Sequence, residues 1–208
     1  MPPWFSGRGR AAIRKLVATF SRKVEAGDHK MLPEDKAGPD LSDRTLVITR
    51  TFDAPRELVF DTFTDPRHLA RWWGPKGCAI VSCEATPVVG GTWRITMRTP
   101  RVLPQFVNRF PSSTEPAAHD IPWIIEKQRG VYREVERPDR LVFSYIFEDD
   151  AGHPLHQTVV TITFTDEGGQ TRLTLRQSIF ENVSVRDDHV RGWTQALDRL
   201  GEHLMPAS

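Results

Sequence analysis

Three groupings of side chains in this 208-residue sequence have the types and spacing for chemistry. Glu134 and Tyr145 are the candidates for acid–base work. Each lies in a strand-like run, and burial, which disfavours the charged form, would shift the pKa of either group. Arg94, Tyr132, Arg176 and Gln177 are further polar residues on strands. Alternation alone does not say which of these six face a concave interior, and the outer face is the expectation for most of them. His153 and His156 lie near Asp149 and Asp150, a metal-like grouping, but Gly152 and Pro154 mark that stretch as a solvated turn, so no metal centre is expected. Cys78 and Cys83 are five positions apart in one strand, which puts them on opposite faces and forbids a mutual disulfide. Without CxxC spacing they read as small buried apolar side chains of a reducing, cytoplasmic protein. There is no GxSxG elbow, Walker loop, HExxH or cysteine–histidine metal spacing. Gly7, Gly9 and Ala12 satisfy GxGxxA, yet no apolar strand precedes them. No catalytic residue, cofactor or metal is assigned.

The elements that would position these groups follow from hydrophobic periodicity. Leu46, Ile48 and Phe52 share one face of a first strand. Ala54-Pro55 opens a short helix with the stripe Leu58, Val59 and Phe63. Asp65-Pro66 starts a second helix through Leu69, Trp72 and Trp73, which Gly74-Pro75 ends. Strand-like runs follow over 78–85, 92–98, 130–136, 141–147, 157–165 and 171–177, most of them separated by hairpin-type turns such as Gly90-Gly91. Val190, Trp193, Leu197, Leu200 and Leu204 then recur at three and four residues, the mark of a long amphipathic helix, with Ser184 and Asp187 as a capping-box-like start. That stripe must be buried, and the only partner large enough is the concave face of the sheet. The expected fold is therefore α+β: about seven mainly antiparallel strands curved around a C-terminal helix, with two short helices after the first strand.

The sequence resembles the activator of heat-shock protein ATPase homologue (AHSA-like) family of the START-like, or SRPBCC, superfamily. The resemblance spans roughly residues 44–204. It is carried by Phe52-Asp53-Ala54-Pro55, Asp65-Pro66, Leu69, Trp72-Trp73-Gly74-Pro75, Gly90-Gly91 with Trp93, Gly130-Val131-Tyr132, Arg140-Leu141-Val142-Phe143 and Gly192-Trp193. It implies the helix-grip fold, in which a cavity lies between sheet and helix. The family commonly carries an Asp and an Arg shortly before the Gly-Gly turn, where this chain has Thr86 and Val88. The stretch 99–128 is also longer than the family's usual hairpin. With Pro100, Pro104, Pro111, Pro116 and Pro122 beside Phe106, Phe110 and Trp123, it reads as a loop insertion that is either a lid over the cavity or a plain excursion.

Strand alternation groups Trp93, Ile95 and Met97 on one face and Leu141, Phe143, Tyr145 and Phe147 on another, with Trp193 and Leu197 opposing them from the helix. Trp73, Trp93, Met97, Tyr132, Phe143, Tyr145, Trp193 and Leu197 are thus the ligand-cavity candidates, and all eight would equally serve an ordinary core. The leading expectation is a non-catalytic carrier or sensor of a lipid-like or aromatic small molecule. The alternatives are a cyclase or dehydratase acting on a polyketide-like substrate, as in other START-like proteins, and a chaperone-associated module of the stress response, as the family name implies. A formal net charge of +1 gives no bulk attraction to nucleic acid. No apolar run reaches the roughly 20 residues of a membrane span. Residues 1–43 read as a basic extension, unstructured or partly helical, ahead of a domain at 44–208. Ile13, Leu16, Val17 and Phe20 recur at helical spacing among basic residues, so 8–24 could touch an anionic membrane surface weakly. Met31 offers an alternative translation start. A homodimer or another protein partner is left open.

Overall fold

The computed structural model describes residues 42–100 and 123–205, all within the unit Pro39–Ser208. The basic segment 8–24, most of the expected extension, and the aromatic residues Phe106 and Phe110 lie outside the described residues. Seven strands form one sheet: β1 Thr45–Phe52, β2 Ala79–Ala85, β3 Thr92–Pro100, β4 Trp123–Glu136, β5 Arg140–Glu148, β6 Pro154–Asp166 and β7 Thr171–Ser178. Their order is β1-β7-β6-β5-β4-β3-β2, and every neighbouring pair is antiparallel. Helices α1 Arg56–Thr62 and α2 Pro66–Trp72 carry the chain between the two edge strands β1 and β2, and α3 Val183–Leu204 closes the domain. The helix-grip expectation is met.

Period-two burial shows why these runs are strands. On β3, Trp93, Ile95, Met97 and Thr99 are buried while Arg94 and Arg98 are exposed. On β7, Thr171, Leu173, Leu175 and Gln177 point inward. Central β5 departs from the rule, being buried at every position from Leu141 to Phe147. Trp193, Ala196, Leu197 and Leu200 of α3 join the same core, with Val190 and Leu204 packed at its margin.

Four details differ from the sequence reading. The insertion does not reach from 99 to 128, because Thr99 pairs with Ile124 and Pro100 with Trp123. The inward positions Glu126 and Gln128 are polar, so the apolar alternation that marks a half-buried strand stops at Gly130 although the strand does not. Trp123, read as part of the loop, is a strand residue with the Arg98 guanidinium 4.9 Å from its ring centroid. Helix α3 starts at Val183, one residue before the expected cap Ser184, and Asn182 caps it by accepting from Val185 N at 3.0 Å. Finally, Cys78 and Cys83 do not sit on opposite faces of one strand. Cys78 precedes β2, and a bulge between Ile80 and Ser82 shifts the register, so Cys83 packs against the core while Cys78 is buried 3.3 Å from Thr99 Oγ1. Both are free thiols, as expected.

The 3₁₀ turn Ser42–Arg44 leads into β1 and is held by Arg186 Nη1, which donates to Asp43 O at 2.7 Å. At the other end of that neighbourhood Ile179 adopts φ +69°, a left-handed conformation that costs a β-branched residue on the order of 1–3 kcal/mol. Its side chain is 44% exposed, so little apolar burial offsets the cost. Ile179→Asn, which tolerates this region, is expected to raise stability by about 1 kcal/mol in thermal denaturation.

Helix α2 packs on α3 through His68 and His203, whose Nδ1 and Nε2 are 2.9 Å apart. Burial first, then His68 and Arg71, lowers the His203 pKa below its ordinary value of 6.5. The folded state therefore resists a proton that the unfolded chain accepts. The stability linked to neutral His203 is complete above about pH 6.5 and declines as the pH falls. The melting temperature should drop between pH 7 and 5, with a shallower slope in His203→Gln.

Candidate functional site

Trp73 is the hub of the interior and is positioned by three elements. It follows α2 directly as the C-terminal cap, its N–H donating to Leu69 O at 2.9 Å. Gly74, at φ +84°, then turns the chain, and a β-carbon there would lie 2.9 Å from Met97 Sδ. Arg199 of α3 secures this corner. Its Nη1 donates to the carbonyls of Trp73, Gly74 and Pro75 at 3.1, 2.9 and 3.2 Å, and its Nη2 to Arg71 O at 3.0 Å. One guanidinium thus donates to the Arg71 and Trp73 carbonyls at the end of α2 and to two more in the turn that follows.

The Trp73 ring lies edge-on to Trp193 with centroids 5.2 Å apart, and near-parallel to Tyr145 at 6.2 Å. Its indole N–H donates to Gln128 Oε1 at 2.8 Å. Trp193 repeats the device with Gln177 Oε1 at 2.6 Å. Gln177 Nε2 donates to Thr158 Oγ1 at 2.8 Å, and that hydroxyl donates to Tyr145 O at 3.2 Å. Between these groups, where β3–β5 face α3, lies a cavity lined by Trp73, Met97, Tyr145, Phe147, His189 and Trp193, with Gln128 and Asp188 among its polar contributors. The space available to the centres of water molecules is about 50 Å³, enough for a few waters and small beside drug-sized pockets. His189 stands at its wall, its ring between Phe180, Phe147 and Tyr145 at centroid distances of 4.8, 5.7 and 5.8 Å. Its Nδ1 is 2.8 Å from Val185 O. A carbonyl only accepts, so Nδ1 carries the proton.

The eight cavity candidates divide by position. Trp73, Met97, Tyr145 and Trp193 surround the cavity. Trp93, Tyr132 and Phe143 line a separate void of about 10 Å³ and are otherwise packed together. Leu197 is a core residue at 1% exposure. Of the polar candidates, Tyr132, Tyr145 and Gln177 are buried. Arg94 and Arg176 are exposed, and Glu134, 44% exposed, accepts from Arg140 Nε at 2.6 Å. The buried carboxylate is instead Glu126, which accepts from Thr99 Oγ1 at 2.8 Å. Glu126, Gln128 and His189 were missed. Even spacing with Gly130 and Tyr132 would have placed the first two on the inward face of β4. The third stands four residues before Trp193 and seven before Ala196, on the buried face of α3, where helical spacing would have placed it.

Burial pushes the Cys83 thiol up to about 11 and raises the Tyr132 phenol and the Cys78 thiol. None of these serves as a base or nucleophile near neutral pH. The His153 turn is self-contained. Asp149 accepts from His153 N at 2.8 Å, which lowers its pKa, and among the described residues no group of three metal-ligating side chains forms. The site offers aromatic surfaces and amide hydrogen bonds. Among the described residues no helix is long and apolar enough to cross a membrane.

Residues 53–103 and 113–205 match the model of the family described as activator of Hsp90 ATPase homologue 1-like protein. No curated protein matches the chain in sequence. Among solved structures, an AHSA1 protein of Silicibacter pomeroyi is 22% identical over 77% of this chain and 96% of its own, with a TM-score of 0.61. A protein of Chromobacterium violaceum is 22% identical over 79% and 99%, with a TM-score of 0.60. One from Mycobacterium smegmatis is 21% identical over 81% and 95%, with a TM-score of 0.61. At these identities the structures share the fold.

Proposed function

This chain belongs to the activator of Hsp90 ATPase homologue 1-like family, and on that premise we propose that it binds a small aromatic or apolar molecule between sheet and α3 as a non-catalytic carrier or sensor. The observation that carries this reading is the cavity itself, walled by Trp73, Trp193, Tyr145 and Phe147 with an amide at one side. Rigid aromatic walls with a few polar groups suit a compact, mostly apolar ligand. The limited volume favours one ring over a long acyl chain.

Native mass spectrometry of the full-length protein as purified, followed by denaturing extraction, tests the reading. The expected result is a discrete low-mass adduct that leaves on unfolding and is lost in Trp193→Leu. A clean apo mass across a panel of small aromatic ligands overturns it. The catalytic alternative needs a buried Glu134 or Tyr145: Glu134 is half exposed and paired with Arg140, which removes the first, whereas Tyr145 is buried at the cavity wall and keeps the second. Stimulation of a purified Hsp90 ATPase would instead support the chaperone-associated reading that the family description suggests.

A further inference from the structure

Each tryptophan beside the cavity is held by a glutamine, and the two glutamines differ in what their nitrogens meet. An indole N–H only donates, so the atom facing it must be the amide oxygen. Trp193 fixes Gln177 in this way, and the nitrogen of Gln177 then donates to the Thr158 hydroxyl at 2.8 Å. Trp73 fixes Gln128 likewise, but Gln128 Nε2 faces Met97 Sδ at 3.8 Å. A thioether is a weak acceptor. Gln128 is 3% exposed and lines the cavity, so a buried amide donor is oriented toward that space with a thioether as its one protein acceptor among the described residues.

Charge around the cavity narrows the class of acceptor. Asp188 lines the same space, 13% exposed and paired with Arg191. Glu126, 3% exposed, precedes Gln128 by two positions on the inward face of β4. Among the described residues that line the cavity there is no Lys or Arg. A carboxylate ligand would be desolvated there with no permanent cation to receive it, His189 being the one titratable nitrogen in the described lining.

Resting on the binding reading above, we infer that the site selects an uncharged aromatic molecule bearing a carbonyl oxygen. That oxygen accepts from Gln128 Nε2, and the ring lies among Trp73, Trp193 and Tyr145. Met97, unbranched and adaptable, is the side chain that gives way to admit it. Gln128 is then a specificity-determining residue.

The test compares three probes on the full-length protein: acetophenone, its near-isostere α-methylstyrene, in which C=CH2 replaces C=O, and benzoate. Tryptophan fluorescence and the side-chain amide resonances of Gln128 are the readouts. Acetophenone is expected to bind roughly ten-fold more tightly than either of the others, the worth of about one hydrogen bond, and to shift the Gln128 amide. Gln128→Leu should bring the two neutral probes to within about two-fold, with near-UV circular dichroism reporting its fold. Gln128→Glu, which keeps an acceptor for Trp73, provides a second variant and should also abolish the preference. Equal binding of acetophenone and α-methylstyrene overturns the inference and leaves the binding reading standing. So does tighter binding of benzoate, or a preference that survives both substitutions. If none of the three binds up to its solubility limit, the binding reading falls and this inference with it.

Discussion

Gly130→Ala is expected to lower stability by about 4 kcal/mol, or on the order of 10 °C in melting temperature for a domain of this size. A β-carbon at this position would lie 1.7 Å from Ser144 O and 2.4 Å from Trp93 Nε1. Both atoms are committed: the indole donates to that carbonyl at 3.2 Å, and Val131 N donates to Ser144 Oγ at 2.9 Å. The β4–β5 register runs through Arg129↔Ile146 and resumes at Tyr132↔Phe143. Between these pairs, side-chain bonds therefore stand beside the backbone ladder. Gly130 provides the space in which the Ser144 carbonyl reaches the indole. An added methyl must separate β4 from β5 or expel Trp93, and either move leaves buried polar groups unpaired. Thermal denaturation measures the loss. A Trp93→Phe change in the Gly130→Ala background should recover part of it by removing the clashing nitrogen. An alanine variant as stable as the parent would mean that β4 and β5 do not approach as closely as the structure places them.

The second large effect is expected at Arg199. Arg199→Leu leaves the carbonyls of Arg71, Trp73, Gly74 and Pro75 without the guanidinium. Charge-assisted hydrogen bonds contribute about 1.5–3 kcal/mol each in favourable cases. These share one partly buried group and exchange with water, so about 3 kcal/mol in total is the expected loss. Arg199→Lys should recover less than half, because a single ammonium cannot address carbonyls arrayed around a planar fork. The two variants also separate stability from site geometry. Trp73 occupies the cavity wall immediately above this corner, so its fluorescence should change in Arg199→Leu even under conditions where the protein remains folded. Parity of Lys with Arg would count against the cap.

Much of the fold could be read because amphipathic periodicity is a local property. Leu46, Ile48 and Phe52 identify β1, and Trp193, Leu197 and Leu200 identify the face of α3, with no knowledge of what they touch. The Asp65-Pro66 boundary was equally legible, since its capping chemistry is contained within a few residues: Asp65 accepts from Arg67 N at 2.8 Å, and hydrogen bonding to Arg67 lowers the Asp65 pKa to about 2. The first half of β4 was not legible. Glu126 and Gln128 face inward, and a buried polar residue carries the same letter as a solvated one. Bulges defeated parity at Cys83 for a related reason: counting residues presumes an unbroken ladder, and the register shift at Ile80/Ser82 is set by the partner strand.

Local patterning was enough for the order of elements, the antiparallel sheet wrapped on a C-terminal helix, and an aromatic interior, because each depends on patterns that repeat within a strand or helix. Which of those aromatic residues bound open space, and which are packed solid, was decided by the tertiary structure. Trp73 and Trp193 lie at the cavity and Trp93 beside a void of only about 10 Å³, although all three are tryptophans on inward-facing positions. The pairings that orient the site also join residues far apart in the chain: Trp73 with Gln128, Trp193 with Gln177, and Arg199 with the end of α2. A hydrogen bond between distant residues leaves no periodic trace in either segment, so it exists only once the sheet has curved and brought its partners within about 3 Å of one another.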